Sequence, residues 1–214
     1  MSTERMTFDK ARFARAWSAM VAALREDHAM MRHYDEKYPT HLRGRPSLPR
    51  DLVTRIGLQV LGAYRLMRFC VEARIPLAPR VISRLIRHAY GSDIHWETTL
   101  DPGVVLVHGM GLALSRGARV HRGTILFHNV TLGMGIDPET REVGAPVVEP
   151  HVHIGPGCSV VGPVRIGARS KISANCFVRA SVPPDSLVEA PRPAVAPRSL
   201  RPPAAPLEVP AGRR

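Results

Sequence analysis

Proton transfer near neutral pH is the chemistry this chain is best supplied for. It holds ten histidines, and imidazole titrates close to physiological pH, so it can accept a proton from one group and return it to another. His108 stands in the run Val107-His108-Gly109-Met110-Gly111, and His95 closes the run Asp93-Ile94-His95. Residue type alone leaves a second reading open for His108, a histidine that merely flanks an inward Leu106. His121, His128, His151 and His153 lack metal-ligand spacing, and His151 and His153 alternate as strand neighbours would, so no metal is expected. Cys70, Cys158 and Cys176 are odd in number, far apart and without a CxxC pair. They are expected as free thiols, with Cys158 and Cys176 placed to share a face of successive coils.

The elements that position these groups follow from one periodicity. Aliphatic residues recur every six positions: Ile94, Leu100, Leu106 and Leu112, then Val120, Leu126 and Leu132, then Val148, Ile154, Val160, Ile166, Ile172 and Val178. Six fits neither the helical period of about 3.6 nor the strand period of about 2. It fits a parallel β-helix of stacked hexapeptide repeats. The beat breaks between Leu112 and Val120, and again between Leu132 and Val148. The second break, 133–147, contains Gly133, Gly135, Pro138, Gly144 and Pro146, which predict a loop thrown out of the coil.

Before the repeats, the spacing predicts helices over 7–33, with Thr7 as N-cap, over 51–74, and over 80–89. The organisation expected is a basic helical domain 1–91, a repeat domain 92–182 and a tail 183–214. That tail is rich in Pro, Ala and Arg, with too little apolar mass to form a domain. The fold class is α+β, an α-helical region followed by a parallel β-helix.

Charge is uneven. Residues 1–92 hold 17 Lys and Arg against 8 Asp and Glu, whereas 93–182 hold 8 against 7. No nucleic-acid motif accompanies the basic half, so nucleic acid is not an expected partner. The second helix, with Arg55, Arg65, Arg68 and Arg74, is expected to pack in the core or an oligomer interface. Peripheral contact with a membrane surface is the alternative. No apolar run has the length of a membrane span and the N-terminus has no secretory pattern, so a soluble, cytoplasmic protein is expected.

The ordered motifs Leu24-Arg25-Glu26-Asp27, Asp93-Ile94-His95, Val107-His108-Gly109-Met110-Gly111, Val130-Thr131-Leu132-Gly133 and Ser181-Val182-Pro183-Pro184 resemble the serine acetyltransferase family over most of the chain. The resemblance implies a left-handed coil, a homotrimer or dimer of trimers with active sites between subunits, and acetyl-CoA as donor. It implies His108 as the general base and Asp93 as the carboxylate that orients it. The chemistry is apt, because an alcohol must lose its proton as it attacks a thioester and a carboxylate on the second ring nitrogen stabilises the imidazolium. For the donor groove it implies Gly133, Gly135, Gly155, Ala168 and Lys171, the lysine near the nucleotide phosphates.

Departures from the family pattern concentrate where the acceptor should sit. Val107 replaces the aspartate before the base, and Val143, Gly144 and Ala145 replace the family's Asp-Arg-His. Met134 and Pro156 also depart. A zwitterion needs a partner for each charge, and unpaired buried charge is costly. Val107, Gly144 and Ala145 cannot supply one, although His128 or Arg141 could substitute. The expected function is therefore an acetyl-CoA-dependent O-acetyltransferase acting on a sugar or polysaccharide precursor. Serine O-acetyltransferase and a non-catalytic scaffold are the alternatives. The terminal Arg213-Arg214, in place of the family's isoleucine, makes a cysteine synthase complex an unexpected partner.

Overall fold

A computed structural model of the chain describes residues 9–37, 45 and 47–191. Thr7 and the tail beyond 191 lie outside the described residues.

The repeat region is a three-faced coil in which each hexapeptide contributes one two- or three-residue strand and one corner. The first turn is β1 (Asp93–Ile94), β2 (Thr99–Leu100) and β3 (Val105–Leu106), and the second is β4 (Ala113–Leu114), β5 (Arg119–Val120) and β6 (Ile125–Leu126). The third begins with β7 (Thr131–Gly133), departs into β8 (Gly135–Ile136) and β9 (Val143–Gly144), and resumes with β10 (Val147–Val148) and β11 (His153–Ile154). The last strands are β12 (Ser159–Val161), β13 (Arg165–Ile166), β14 (Lys171–Ile172), β15 (Phe177–Val178) and β16 (Leu187–Val188).

Parallel pairing stacks the aliphatic residues into three columns. Ile94, Leu114, Leu132, Val160 and Val178 form the first. Leu100, Val120, Val148 and Ile166 form the second. Leu106, Leu126, Ile154, Ile172 and Val188 form the third. Nearly all are fully buried, so each turn closes the apolar end of the one below it, as stacked repeats require. Corner hydroxyls bind coil carbonyls: Thr98 Oγ1 donates to Leu114 O at 3.1 Å, and Ser170 Oγ to Pro183 O at 2.8 Å. Cys158 and Cys176 fill inward corner positions, and all three cysteines are free and buried.

The first break lies one hexapeptide earlier than the beat places it. Leu114, not Leu112, stacks between Ile94 and Leu132. The two extra residues fall between Leu106 and Leu114, in the segment that carries His108. Leu112 is equally buried, but as a corner residue, with its N–H bonded to Ser92 Oγ at 3.1 Å. The second break is an antiparallel hairpin, β8 against β9, standing off the coil with Met134, Ile136 and Val143 exposed.

Four helices, α1 (Lys10–Lys37), α2 (Leu48–Thr54), α3 (Ile56–Glu72) and α4 (Ala78–Tyr90), cap the first turns. The single helix expected over 51–74 is two, because Arg55 adopts extended backbone (φ −116°, ψ 108°) between α2 and α3. Pro79 sits inside the first turn of α4 and not before it, a position where proline costs no hydrogen bond. Helix α3 is the most buried, with Tyr64 accepting from Leu100 N–H at 3.0 Å and donating to Thr98 O at 2.8 Å. Among the described residues, no helix is long and apolar enough to cross a membrane.

Candidate active site

His108 lies at the corner joining the third face to the first, immediately after β3. Helix α3 makes direct backbone contact there. A Cβ on Gly57 would lie 1.8 Å from Leu106 O, and one on Gly109 (φ +67°) would lie 2.9 Å from Gly57 Cα. Only glycine at both positions permits this approach, which fixes the chain on either side of His108. Ser92 Oγ completes the corner, donating to Gly109 O at 2.8 Å.

The corner continues up the coil. Asn129 N–H donates to Met110 O, Gly157 N–H to His128 O and Asn175 N–H to Pro156 O. His108, His128 and Gly155 therefore share one edge of the prism. The His108 ring centroid is 5.1 Å from that of His128 and 6.4 Å from that of Phe127. His128 Nδ1 is buried with no hydrogen-bond partner among the described residues, so an acceptor or donor group beside His108 would satisfy it.

A cavity of about 310 Å³ opens on His108. Its walls come from the coil (Val107 and Met110), the start of α3, and the C-terminal end of α1 with the α2–α3 junction (Tyr34, Asp35 and Arg55). Arg55 Nη1 lies 2.7 Å from Asp35 Oδ2, and both side chains are largely buried. Behind them sits Asp51, whose Oδ2 is 2.8 Å from His28 Nε2 and whose Oδ1 is 3.8 Å from Arg55 Nε. Burial pulls the Asp51 carboxyl upward, but the His28 hydrogen bond and the charges of Arg55, His28 and Arg50 outweigh it and hold it below its usual value. The extended Arg55 that splits the helix is thus anchored on one side and faces the cavity on the other.

The remaining sequence-assigned residues are spread over the coil. Asp93 is exposed on β1 and accepts from Arg87 Nη2 at 2.6 Å; among the described residues no hydrogen bond or ion pair joins it to His108. Gly133, Gly135, Gly144 and Ala145 belong to the corner between first and second faces, where the hairpin base is pressed on the next turn. A Cβ on Gly135 would meet Val161 at 2.7 Å, and one on Gly144 would meet Pro163 at 2.6 Å. Ala145 packs against the coil interior. Ala168 lies at the remaining corner, and Lys171 points outward from the third face. One chain therefore brings together His108, Val107, His128 and Gly155, and leaves the others on separate edges and faces. Of the charged pair at the cavity, Arg55 stands out in the sequence only as one of the second helix's cationic residues and Asp35 not at all. Their only signal there was the type of residue, far from His108 and without a characteristic spacing.

Stacked hexapeptide strands with a histidine at an interrupted corner define a hexapeptide-repeat transferase fold, and residues 145–180 match the bacterial transferase hexapeptide family (six repeats). The chain is 32% identical over 149 residues to the serine acetyltransferase of Synechococcus elongatus, covering 65% of this chain and 60% of that one. It is 31% identical over 170 residues to the serine acetyltransferase of Mycobacterium tuberculosis, covering 79% of this chain and 70% of that one. The crystal structure of Neisseria gonorrhoeae serine acetyltransferase in complex with serine superposes with a TM-score of 0.68 at 25% identity, covering 84% of this chain and 72% of that one. The chain belongs to the serine acetyltransferase family. Its fold is accordingly the helical cap and left-handed parallel β-helix. The chain spans about 60% of the length of the Synechococcus protein.

Proposed function

We propose that the protein transfers an acetyl group from acetyl-CoA to the hydroxyl of a small zwitterionic acceptor, serine foremost, with His108 as general base. One observation carries this reading. The cavity that opens on His108 also presents Asp35 and Arg55, one charge of each sign. These are the partners an ammonium and a carboxylate require, and they replace the anchors missing at Val107, Gly144 and Ala145. An incoming zwitterion exchanges an ion pair within the protein for two across the interface, so no charge is left buried and unpaired.

In this reaction the acceptor oxygen attacks the thioester carbonyl while His108 takes the hydroxyl proton. The tetrahedral intermediate collapses, the C–S bond breaks, and the imidazolium returns the proton to the leaving sulfur. The unsatisfied His128 Nδ1, if protonated, is a candidate donor to an oxygen held beside His108. Asp93 orients the base once released from Arg87 or approached across a subunit boundary. The donor groove, with Gly155 on the His108 edge and Gly133, Gly135, Ala168 and Lys171 on others, requires a second copy of the chain to close it, which supports a trimer.

The test is release of CoA thiol from acetyl-CoA with serine, homoserine and neutral sugars as acceptors. Serine turnover that falls on the order of a hundredfold or more in His108→Ala, with the oligomer intact, is the expected result. Turnover on sugars and none on serine would overturn the zwitterion reading in favour of a neutral acceptor, which the apolar Val107 beside His108 would suit. Wild-type activity in His108→Ala would remove the base assignment.

A further inference from the structure

Helix α4 packs against β1 through one face only. Ser83 and Ile86 are buried there, with Ser83 Oγ donating to Ile94 O at 3.1 Å. The opposite face is apolar where a solvated helix would be polar. Val81 and Leu85, one helical turn apart, are 52% and 60% exposed, and Leu77, just before the helix, is 66% exposed. Leu77 also takes left-handed backbone (φ +65°), which is uncommon for leucine, and burial of its side chain does not offset that strain.

Cations flank this strip. Over residues 73–92 the chain holds four arginines and no Asp or Glu. Arg87 is paired with Asp93 at 2.6 Å, and the nearby Glu97 is held by Arg116. Arg74, Arg80 and Arg84 are exposed and have no salt-bridge partner among the described residues; Arg80 rests over the Trp96 ring at 5.9 Å. The arginines inside α3 are engaged elsewhere, Arg65 with Asp27 and Arg68 with Trp96 O. Of the cationic helix expected over 51–74, then, only its last arginine, Arg74, joins the exposed strip.

We propose that the outer face of α4 and the turn before it dock on an anionic lipid surface. Leu77, Val81 and Leu85 enter the headgroup boundary, and Arg74, Arg80 and Arg84 meet the lipid phosphates. An exposed apolar strip beside unpaired arginines is the pattern of a helix lying in the plane of a membrane interface, and clustered arginines are drawn to anionic lipid. Charge selects this occupant over a second copy of the chain. A two-fold contact sets the same patch against itself, so arginines would meet arginines with no carboxylate between them. The inference does not rest on acetyl transfer, because none of these residues lines the His108 cavity.

The experiment is co-sedimentation of the full chain with vesicles of phosphatidylcholine alone, and of phosphatidylcholine with about one-third phosphatidylglycerol, at ~0.1 M salt. The chain is expected to sediment with the anionic vesicles and to stay in solution with the neutral ones. Val81→Ser/Leu85→Ser and, separately, Arg74→Gln/Arg84→Gln should each weaken that binding about tenfold or more, and Arg74→Lys/Arg84→Lys should retain it. All four side chains are exposed, and matching thermal midpoints check that the variants fold. Sedimentation velocity without lipid should give wild type and the serine pair the same oligomeric state. A smaller oligomer in the serine pair would assign the strip to a second copy and overturn the proposal. So would equal binding to both kinds of vesicle, binding to neither, or anionic binding that survives both the serine and the glutamine pairs, since it would then come from other basic residues.

Discussion

At the scale of single residues, the cavity joins a histidine that stands out in the sequence to a charge pair that does not. His108 is legible because it stands in the run Val107-His108-Gly109-Met110-Gly111, with Asp93 preceding it at the spacing the family resemblance implies. Asp35 and Arg55 lie on a helix and at a helix break, and only tertiary packing brings them to the cavity. No local spacing encodes that meeting. The pair makes a sharp prediction for the acceptor. Asp35→Asn keeps the shape but removes the charge, and a hydrogen bond to a charged group contributes about 1.5–3 kcal/mol. The kcat/KM for serine should therefore fall roughly ten- to a hundredfold, expressed mainly in the KM for serine, with the KM for acetyl-CoA unchanged. Steady-state kinetics with each substrate varied in turn reads the difference. An unaltered serine KM would separate Asp35 from acceptor binding and return weight to a neutral acceptor.

At the scale of elements, the position of His108 depends on how closely α3 lies on the coil. Gly57 and Gly109 meet where a single extra carbon on Gly57 would overlap Leu106 O. Gly57→Ala must push the start of α3 outward, because the obstacle is backbone and cannot rotate away. Overpacking of this kind costs about 1–3 kcal/mol, and here it also opens the cavity wall. The variant should show a lowered urea midpoint and a loss of turnover larger than its loss of stability explains. Gly62→Ala is the comparison, since its Cβ would meet the flexible ends of Leu52 at 3.3 Å and Leu24 at 3.9 Å and no backbone. Equal effects of the two would mean that the α3 contact does not set the site.

The six-residue beat reads out the coil and the ejection of 133–147 from it, because burial of one side chain per strand is a purely local constraint. It misplaces the first interruption by one repeat because Leu112 and Leu114 are both apolar and both buried. Hydropathy registers burial but not whether the buried residue belongs to a strand or to a corner. The same limit hid the break at Arg55, where an arginine suits a helix as well as a junction.

For the whole molecule, the question is what holds the helical cap to the coil. Hydrophobic contact supplies much of it, with Val60, Leu61, Tyr64 and Met67 of α3 joining the coil core. The orientation is fixed by one polar cluster. Asp27 of α1 accepts from Arg65 Nε at 2.8 Å, Arg65 Nη2 at 2.9 Å and Gly103 N–H at 2.8 Å, while Arg65 Nη1 reaches Leu100 O at 2.6 Å. Three elements thus meet on one buried ion pair. Burial pushes the Asp27 carboxyl above its usual value even though the Arg65 hydrogen bonds and charge and the Gly103 N–H oppose it. Arg65→Met strips away the largest opposing influence and leaves a buried carboxylate alone, a loss of about 3–5 kcal/mol at neutral pH. The folded variant can recover part of that loss by taking up a proton. A carboxyl raised in the folded state costs stability as pH rises from the unfolded value of 3.8 through the folded one. The difference between variant and wild type, measured by urea denaturation at each pH, should therefore be largest near pH 7 and shrink as pH falls toward about 5. A difference that stays constant across that range would show that Asp27 remains satisfied without Arg65, and that the cap is held by its apolar face.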